Sequence, residues 1–178
     1  HDPMLAQVQA WSAVNSGSGN LPGLAATAGL LADGFAALPG EVELISPAPV
    51  ERVRADGVIE TVEHGRHLVL TVRPEAPTQL LFTGHMDTVF AVDHAFQTQQ
   101  WLEDGVLNGP GVADMKGGIS VMLAALSAAE SSAGFDRVGY QVMINSDEEV
   151  GSPSSAALIA KLAKSKLAAL TYEPALPD

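Results

Sequence analysis

His85-x-Asp87, Asp114, Asp147-Glu148-Glu149 and Glu173 are imidazole and carboxylate side chains of the kind that hold divalent cations. The chain has no cysteine, so a thiolate site is excluded and any metal must be bound through His, Asp or Glu. Imidazole with carboxylates and no sulfur suits zinc at a catalytic site, with manganese or cobalt as alternatives. Four or more carboxylates brought into one crevice repel strongly unless a cation neutralises them. Asp87, two residues past His85, could accept the second ring N–H and fix the imidazole for metal binding. Glu148 and Glu149 are adjacent, so on an extended backbone they point in different directions. One could then bind metal while the other faces a substrate as a base. Each group also has an ordinary explanation: a surface His–Asp pair, a solvated acidic turn, or Asp114 capping the helix that follows it.

Asp114 sits in L-N-G-P-G-V-A-D-M-K-G-G-I-S, residues 107–120. So many glycines beside a proline allow neither a regular helix nor a strand interior. Two phosphate-binding motifs fail here. Lys116 lacks the preceding Gly and following Ser or Thr of a P-loop, and Asp114 occupies the third glycine position of a dinucleotide fingerprint. A carboxylate there repels a pyrophosphate, so the loop suits a cation.

The elements that must position these groups are legible from periodicity. Asp2-Pro3 starts a helix continued by Leu5, Val8 and Trp11, and Ser16–Asn20 is a loop. Leu24, Ala28, Leu31 and Phe35 mark a second helix ending near Gly40. Glu41–Ser46 alternates as a strand, and Pro47 and Pro49 break it. Val58–Val62 and His67–Val72 are expected to pair around a turn at Glu63–Arg66. Gln79–Thr83 is a short apolar run that Gly84 is expected to stop, and Asp104-Gly105 marks a hairpin between Thr98–Glu103 and Val106–Asn108. A helix over Met115–Ser131, a strand over Arg137–Asn145, a helix capped at Ser152-Pro153 and a strand over Leu167–Tyr172 complete the chain. Strands alternating with helices predict an α/β fold with a mostly parallel mixed sheet and right-handed crossovers. His85, the acidic triplet and Glu173 each follow a strand, at the carboxyl ends where such sheets bind ligands. His1, His64, His67 and His94 lack this context and are expected at the surface.

At 178 residues and 47% hydrophobic composition, one domain with an ample core is expected. A net charge of −12 argues against nucleic acid and anionic membrane surfaces as partners. No apolar run approaches the ~20 residues of a membrane-spanning helix. The first residue is His1 rather than Met, so the natural N-terminus is not visible; the cytoplasm is the expected compartment and the periplasm the alternative.

Four strings, G-H-M-D-T-V at 84–89, N-G-P-G-V-A-D-M-K-G-G at 108–118, N-S-D-E-E-V-G-S at 145–152 and Y-E-P at 172–174, together resemble a known family. It is that of the co-catalytic zinc peptidases and deacylases, including glutamate carboxypeptidase, acetylornithine deacetylase, succinyl-diaminopimelate desuccinylase and aminoacylase. The Gly-Pro-Gly loop and the Asp-Glu-Glu-x-Gly-Ser string are closest to the glutamate carboxypeptidase branch, and the resemblance spans about residues 5–178. It implies a three-layer, zinc-peptidase-like sandwich and two zinc ions. His85 and Glu173 would bind one metal and Glu149 the other, with Asp114 bridging, Asp87 orienting His85 and Glu148 as general base. The implied reaction is amide hydrolysis, releasing a C-terminal glutamate or similar amino acid from an N-acyl amino acid or short peptide.

Members of that family are longer. A smaller lid or dimerisation domain interrupts their catalytic domain, and a last histidine ligand follows it. Residues 1–178 therefore read as the N-terminal part of a truncated catalytic domain, with the lid and the C-terminal part absent and a homodimer expected for the full-length protein. The alternative is a metal-binding fragment without turnover because the fifth ligand is missing. A third reading is a plain α/β domain with an acidic rim.

Overall fold

The computed structural model describes residues 3–175, the Asp104 side chain excepted; His1 and Asp2 lie outside them. In chain order the elements are α1 (Pro3–Ser12), α2 (Leu21–Phe35), β1 (Glu41–Ile45), β2 (Val50–Val53), β3 (Ile59–Val62), β4 (His67–Val72) and β5 (Thr78–His85). These are followed by β6 (Gln100–Trp101), β7 (Leu107–Asn108), α3 (Gly118–Glu130), β8 (Val138–Asn145), α4 (Ala156–Leu162) and β9 (Ala168–Thr171).

Five strands make the main sheet, in the order β1-β4-β8-β5-β9. β5 pairs in parallel with β8 and β9, while β4 is antiparallel to both β8 and β1. Four strands thus run one way and β4 runs against them. Alternation along the strands sorts side chains to two faces. Leu68, Leu70, Phe82, Tyr140, Val142 and Ile144 face a core shared with α1, α2 and α3. Val69, Leu81 and Met143 face the other way, onto Leu158, Ile159 and Leu162 of α4. Helices on both faces of one mixed sheet make the expected three-layer α/β sandwich.

The helices obey their sequence signals. Asn20 caps α2 by accepting from the Gly23 N–H at 3.2 Å, and Leu24, Ala28, Leu31 and Phe35 form its buried stripe. The helix stops at Phe35, short of Gly40, where the backbone turns left-handed at φ +107°.

Several expectations are corrected. His67–Val72 does not pair with Val58–Val62. β3 pairs instead with β2, which the prolines at 47 and 49 concealed, and their turn lies at Asp56-Gly57 with Gly57 at φ +82°. β4 is buried almost throughout and lies inside the main sheet, a place its continuous apolar run suits better than a hairpin. Gly84 does not stop β5, which continues to His85 because β8 supplies partners as far as Asn145. The expected helix at Met115 starts at Gly118, after a wide turn over Val112–Gly117. The helix expected from Ser152-Pro153 starts at Ala156, since Ser152 is left-handed at φ +57° and Ser155 takes the cap position.

His67 is buried, not at the surface. It sits between the Ser146 N–H, 3.3 Å from Nδ1, and the Ser154 hydroxyl, 3.3 Å from Nε2. Burial pushes its pKa below the usual imidazole value of 6.5, with Asp147 pulling partly the other way. The folded chain then binds the proton less readily than the unfolded one. His67's contribution is complete above about pH 6.5 and is lost as the pH falls from there through the folded pKa. The urea midpoint should therefore drop between pH 7.5 and pH 5.5. His67→Gln should lower stability by roughly 1–3 kcal/mol and flatten that part of the pH dependence.

Candidate metal centre

The parallel registers bring the site together. His85, the last residue of β5, lies opposite Asn145 of β8, and Thr83 lies opposite Thr171 of β9. The turn after β8 and the segment after β9 therefore leave the sheet at the end where β5 delivers His85. The imidazole is 1% exposed. Its Nδ1 is 3.0 Å from the main-chain carbonyl of Asp87 and 3.4 Å from that residue's carboxylate, and its Nε2 is 3.0 Å from Asp114 Oδ1 and 3.6 Å from Glu173 Oε2. With the Nδ1 proton on the carbonyl, Nε2 is the nitrogen left to face a cation.

Asp87 is fully buried. It orients His85 chiefly through its carbonyl, the closer acceptor, while its carboxylate serves the neighbouring turns. That carboxylate accepts from the Ser18 hydroxyl at 2.7 Å and from the Glu148 and Glu149 N–H groups at 3.1 Å each. These two N–H groups belong to a tight helical turn over Glu148–Val150 rather than to the extended backbone expected there. The turn still separates the two side chains. Glu149 is half-buried towards His85 and Asp114, whereas Glu148 is exposed and lines a cleft of about 140 Å³ with Glu173 and Asn145.

Asp147, the first residue of the acidic triplet, does not join the centre. It is buried and accepts from the Ser154 N–H at 2.6 Å, the Ser154 hydroxyl at 2.8 Å, the Ser155 hydroxyl at 2.6 Å and the Asn145 amide at 3.2 Å. Burial alone would raise its pKa, but these donors hold it below the ordinary aspartate value. Its work is to fold residues 152–155 back under the Glu148–Val150 turn.

The glycine-rich loop delivers Asp114 from the opposite side. Gly118 opens α3 so close to the exit of β9 that a Cβ there would lie 2.0 Å from the Tyr172 carbonyl oxygen, so only glycine fits. Met115 packs over Gly84, and its sulfur accepts the His85 N–H at 3.0 Å. Lys116, whose role is invisible in the sequence, is buried with its ammonium 3.3 Å from the Val14 carbonyl beyond the end of α1. Burial drives its pKa down to about 8 against the pull of Asp87. Ser18, which braces Asp87, was likewise hidden, because a serine in a Ser-Gly-Ser-Gly loop carries no signal of its own.

The donor set fits a cation. Ligand atoms of His85, Asp114 and Glu149 lie within 4.8 Å of one another, and Glu173 reaches the same imidazole nitrogen. Burial, then repulsion from Asp114 and other carboxylates, raises the pKa of both Glu149 and Glu173, with His85 opposing. Burial would lower the pKa of His85, but Asp87, Glu173 and Asp114 reverse that and raise it to about 9. Surplus carboxylate around one imidazole is the electrostatic signature of a cation site.

Known proteins resemble the chain in sequence and in fold. Residues 81–178 match the model of peptidase family M20/M25/M40. Carboxypeptidase G2 of a Pseudomonas species is 30% identical over 162 residues, which are 90% of this chain and 36% of that protein. Succinyl-diaminopimelate desuccinylase 2 of Shewanella loihica is 40% identical over 79 residues, 42% of this chain and 21% of that protein. The crystal structure of human carnosine dipeptidase 1 superposes with a TM-score of 0.77 over 98% of this chain and 39% of that one; at 19% identity the likeness is one of fold. The chain thus spans little more than a third of the length of the carboxypeptidase.

Asp87→Asn places an amide NH2 among donors that need an acceptor. It should weaken zinc binding about 10–100-fold in a calorimetric titration, and His85→Ala should abolish binding at the same centre. Unchanged affinity in Asp87→Asn would show that the Glu148–Val150 turn holds its place without that carboxylate.

Proposed function

The chain belongs to peptidase family M20/M25/M40, and from that we propose that it carries metal-binding residues of an amide-bond hydrolase acting on N-acyl amino acids or short peptides. The observation that carries the reading is the grouping of His85, Asp114 and Glu149, with Glu173 on the same imidazole and Glu148 beside them. In this reading His85 and Glu173 would hold one divalent cation and Glu149 a second, with Asp114 serving both. Zinc is the first choice, with cobalt or manganese as alternatives. When bound, such ions supply Lewis acidity, polarising the amide carbonyl and acidifying water.

The protein's own part follows from placement. Glu148 is exposed at the cleft while its main-chain N–H is bonded to buried Asp87, so an accessible carboxylate stands on an anchored backbone. It takes a proton from the attacking water and returns it to the leaving nitrogen, so water and amide become a carboxylic acid and an amine. Asp87 keeps the His85 ring in one orientation and sets the turn that separates Glu148 from Glu149. One relative is named a carboxypeptidase and another a desuccinylase. Both names support a substrate with an acyl group on an amino acid, and the Gly-Pro-Gly loop favours release of a C-terminal glutamate or a similar residue.

The test is amide hydrolysis with and without added zinc, on this chain and on longer polypeptides that contain it. Glu148→Gln should lower turnover by about 10²–10⁴-fold while elemental analysis finds the parent's metal content. Loss of metal in that variant would mean that Glu148 is a ligand and that the assignment of base is wrong.

A further inference from the structure

Residues 63–66 carry the chain from the β2–β3 hairpin into the sheet and set His64 between two cavities. One, of about 370 Å³, is bordered by Ser18, Val50, Val62, Val150 and Pro153 as well as His64. The other, of about 390 Å³, lies towards α2, and His64 is the residue common to both. Both ring nitrogens of His64 are sealed from solvent, and neither has a hydrogen-bond partner among the described residues. Buried polar atoms are nearly always paired, because leaving them bare forfeits hydration without compensation. Rotation of the ring towards the first cavity would let a bound group supply the missing partner.

That cavity adjoins the metal centre. Ser18 is both its wall and the donor to Asp87 Oδ2, and Val150 directly follows Glu149. Val50, Val62, Val150 and Pro153 give it an apolar side, and Glu63 puts a carboxylate on its border that would repel another. The one guanidinium on its rim, Arg52, is already bonded to Glu60 across the hairpin, so no free cation awaits a carboxylate. An apolar body with one polar atom suits such walls. The amino-acid carboxylate of the substrate does not.

We propose that this cavity receives the acyl portion of the substrate, its apolar body against Val50, Val62, Val150 and Pro153 and a polar tip hydrogen-bonded to His64. The assignment rests on the amide-hydrolase reading, since it takes the acyl amino acid as ligand. His64 then acts in specificity, distinguishing acyl groups that carry a hydroxyl or carbonyl at the tip from those that do not.

The probes are acetylglycine, phenylacetylglycine and 4-hydroxyphenylacetylglycine, titrated by calorimetry into the metal-free chain in EDTA, with the His64 ring nitrogens followed by NMR. Phenylacetylglycine should bind at least about tenfold more tightly than acetylglycine, and the hydroxylated compound about threefold to tenfold more tightly again. His64 resonances should move only with the hydroxylated probe. His64→Phe should erase the preference for the hydroxyl and keep the gain from the ring. Val150→Trp, at an exposed wall position that tolerates a larger side chain, should erase both gains. Equal binding of all three probes, a hydroxyl preference that survives His64→Phe, or a ring gain that survives Val150→Trp would each overturn the proposal. Because no metal takes part, failure here leaves zinc-dependent turnover free to appear, and absence of turnover leaves this binding series intact.

Discussion

A single buried carboxylate holds the functional end of this fold together. Asp87 has no exposed surface and ties three separate segments to one point: the Ser16–Asn20 loop, the end of β5, and the turn after β8. A buried anion is tolerated only when its oxygens are occupied by donors, and here two main-chain N–H groups and a hydroxyl fill that role. The donors also fix where Glu148 and Glu149 can be. The burial of Asp87 and the placing of the site are therefore one constraint.

Asp147 repeats the device one layer deeper. Its oxygens gather Ser154, Ser155 and Asn145 beneath the same turn, without a salt bridge to any Lys or Arg among the described residues. The acidic residues of the site thus divide into a scaffold and a working surface. Asp87 and Asp147 are consumed by donors, whereas Asp114, Glu148, Glu149 and Glu173 keep oxygens free. Electrostatic strain is confined to the second set, where Glu149 and Glu173 are pushed towards their protonated forms.

Much of this was legible in the sequence because strand ends are. The expected strand at 79–83 falls within β5, that at 137–145 covers β8 with one residue to spare, and residues that follow parallel neighbours leave the sheet together. Other features depended on long-range partners. Pairing of β2 with β3, rather than of β3 with β4, depends on the sheet claiming β4 from both sides. The burial of His67 depends on Ser146 and Ser154, 79 and 87 positions along the chain. Lys116 gives no local sign of being buried, since it is covered by the chain at Val14, beyond α1, and by the left-handed turn at Gly111. Local pattern reports which face of an element is apolar; which neighbour covers that face is decided elsewhere in the chain.

Within residues 3–175, the strand that leads to Glu173 is the least protected of the main sheet. β9 lies at its edge, bonded on one side to β5, and all four of its residues are exposed. In a polypeptide of these residues alone, a strand in that position detaches at a lower free energy than β5 or β8, which are flanked on both sides. Glu173 and His85 meet only while β9 is docked, so a cation shared by the two side chains would favour the docked state by mass action. Amide exchange along Ala168–Thr171 would then slow as metal activity rises, while exchange in β4 and β8 stayed constant. The edge of the sheet would thereby act as a gauge of how fully the centre is loaded.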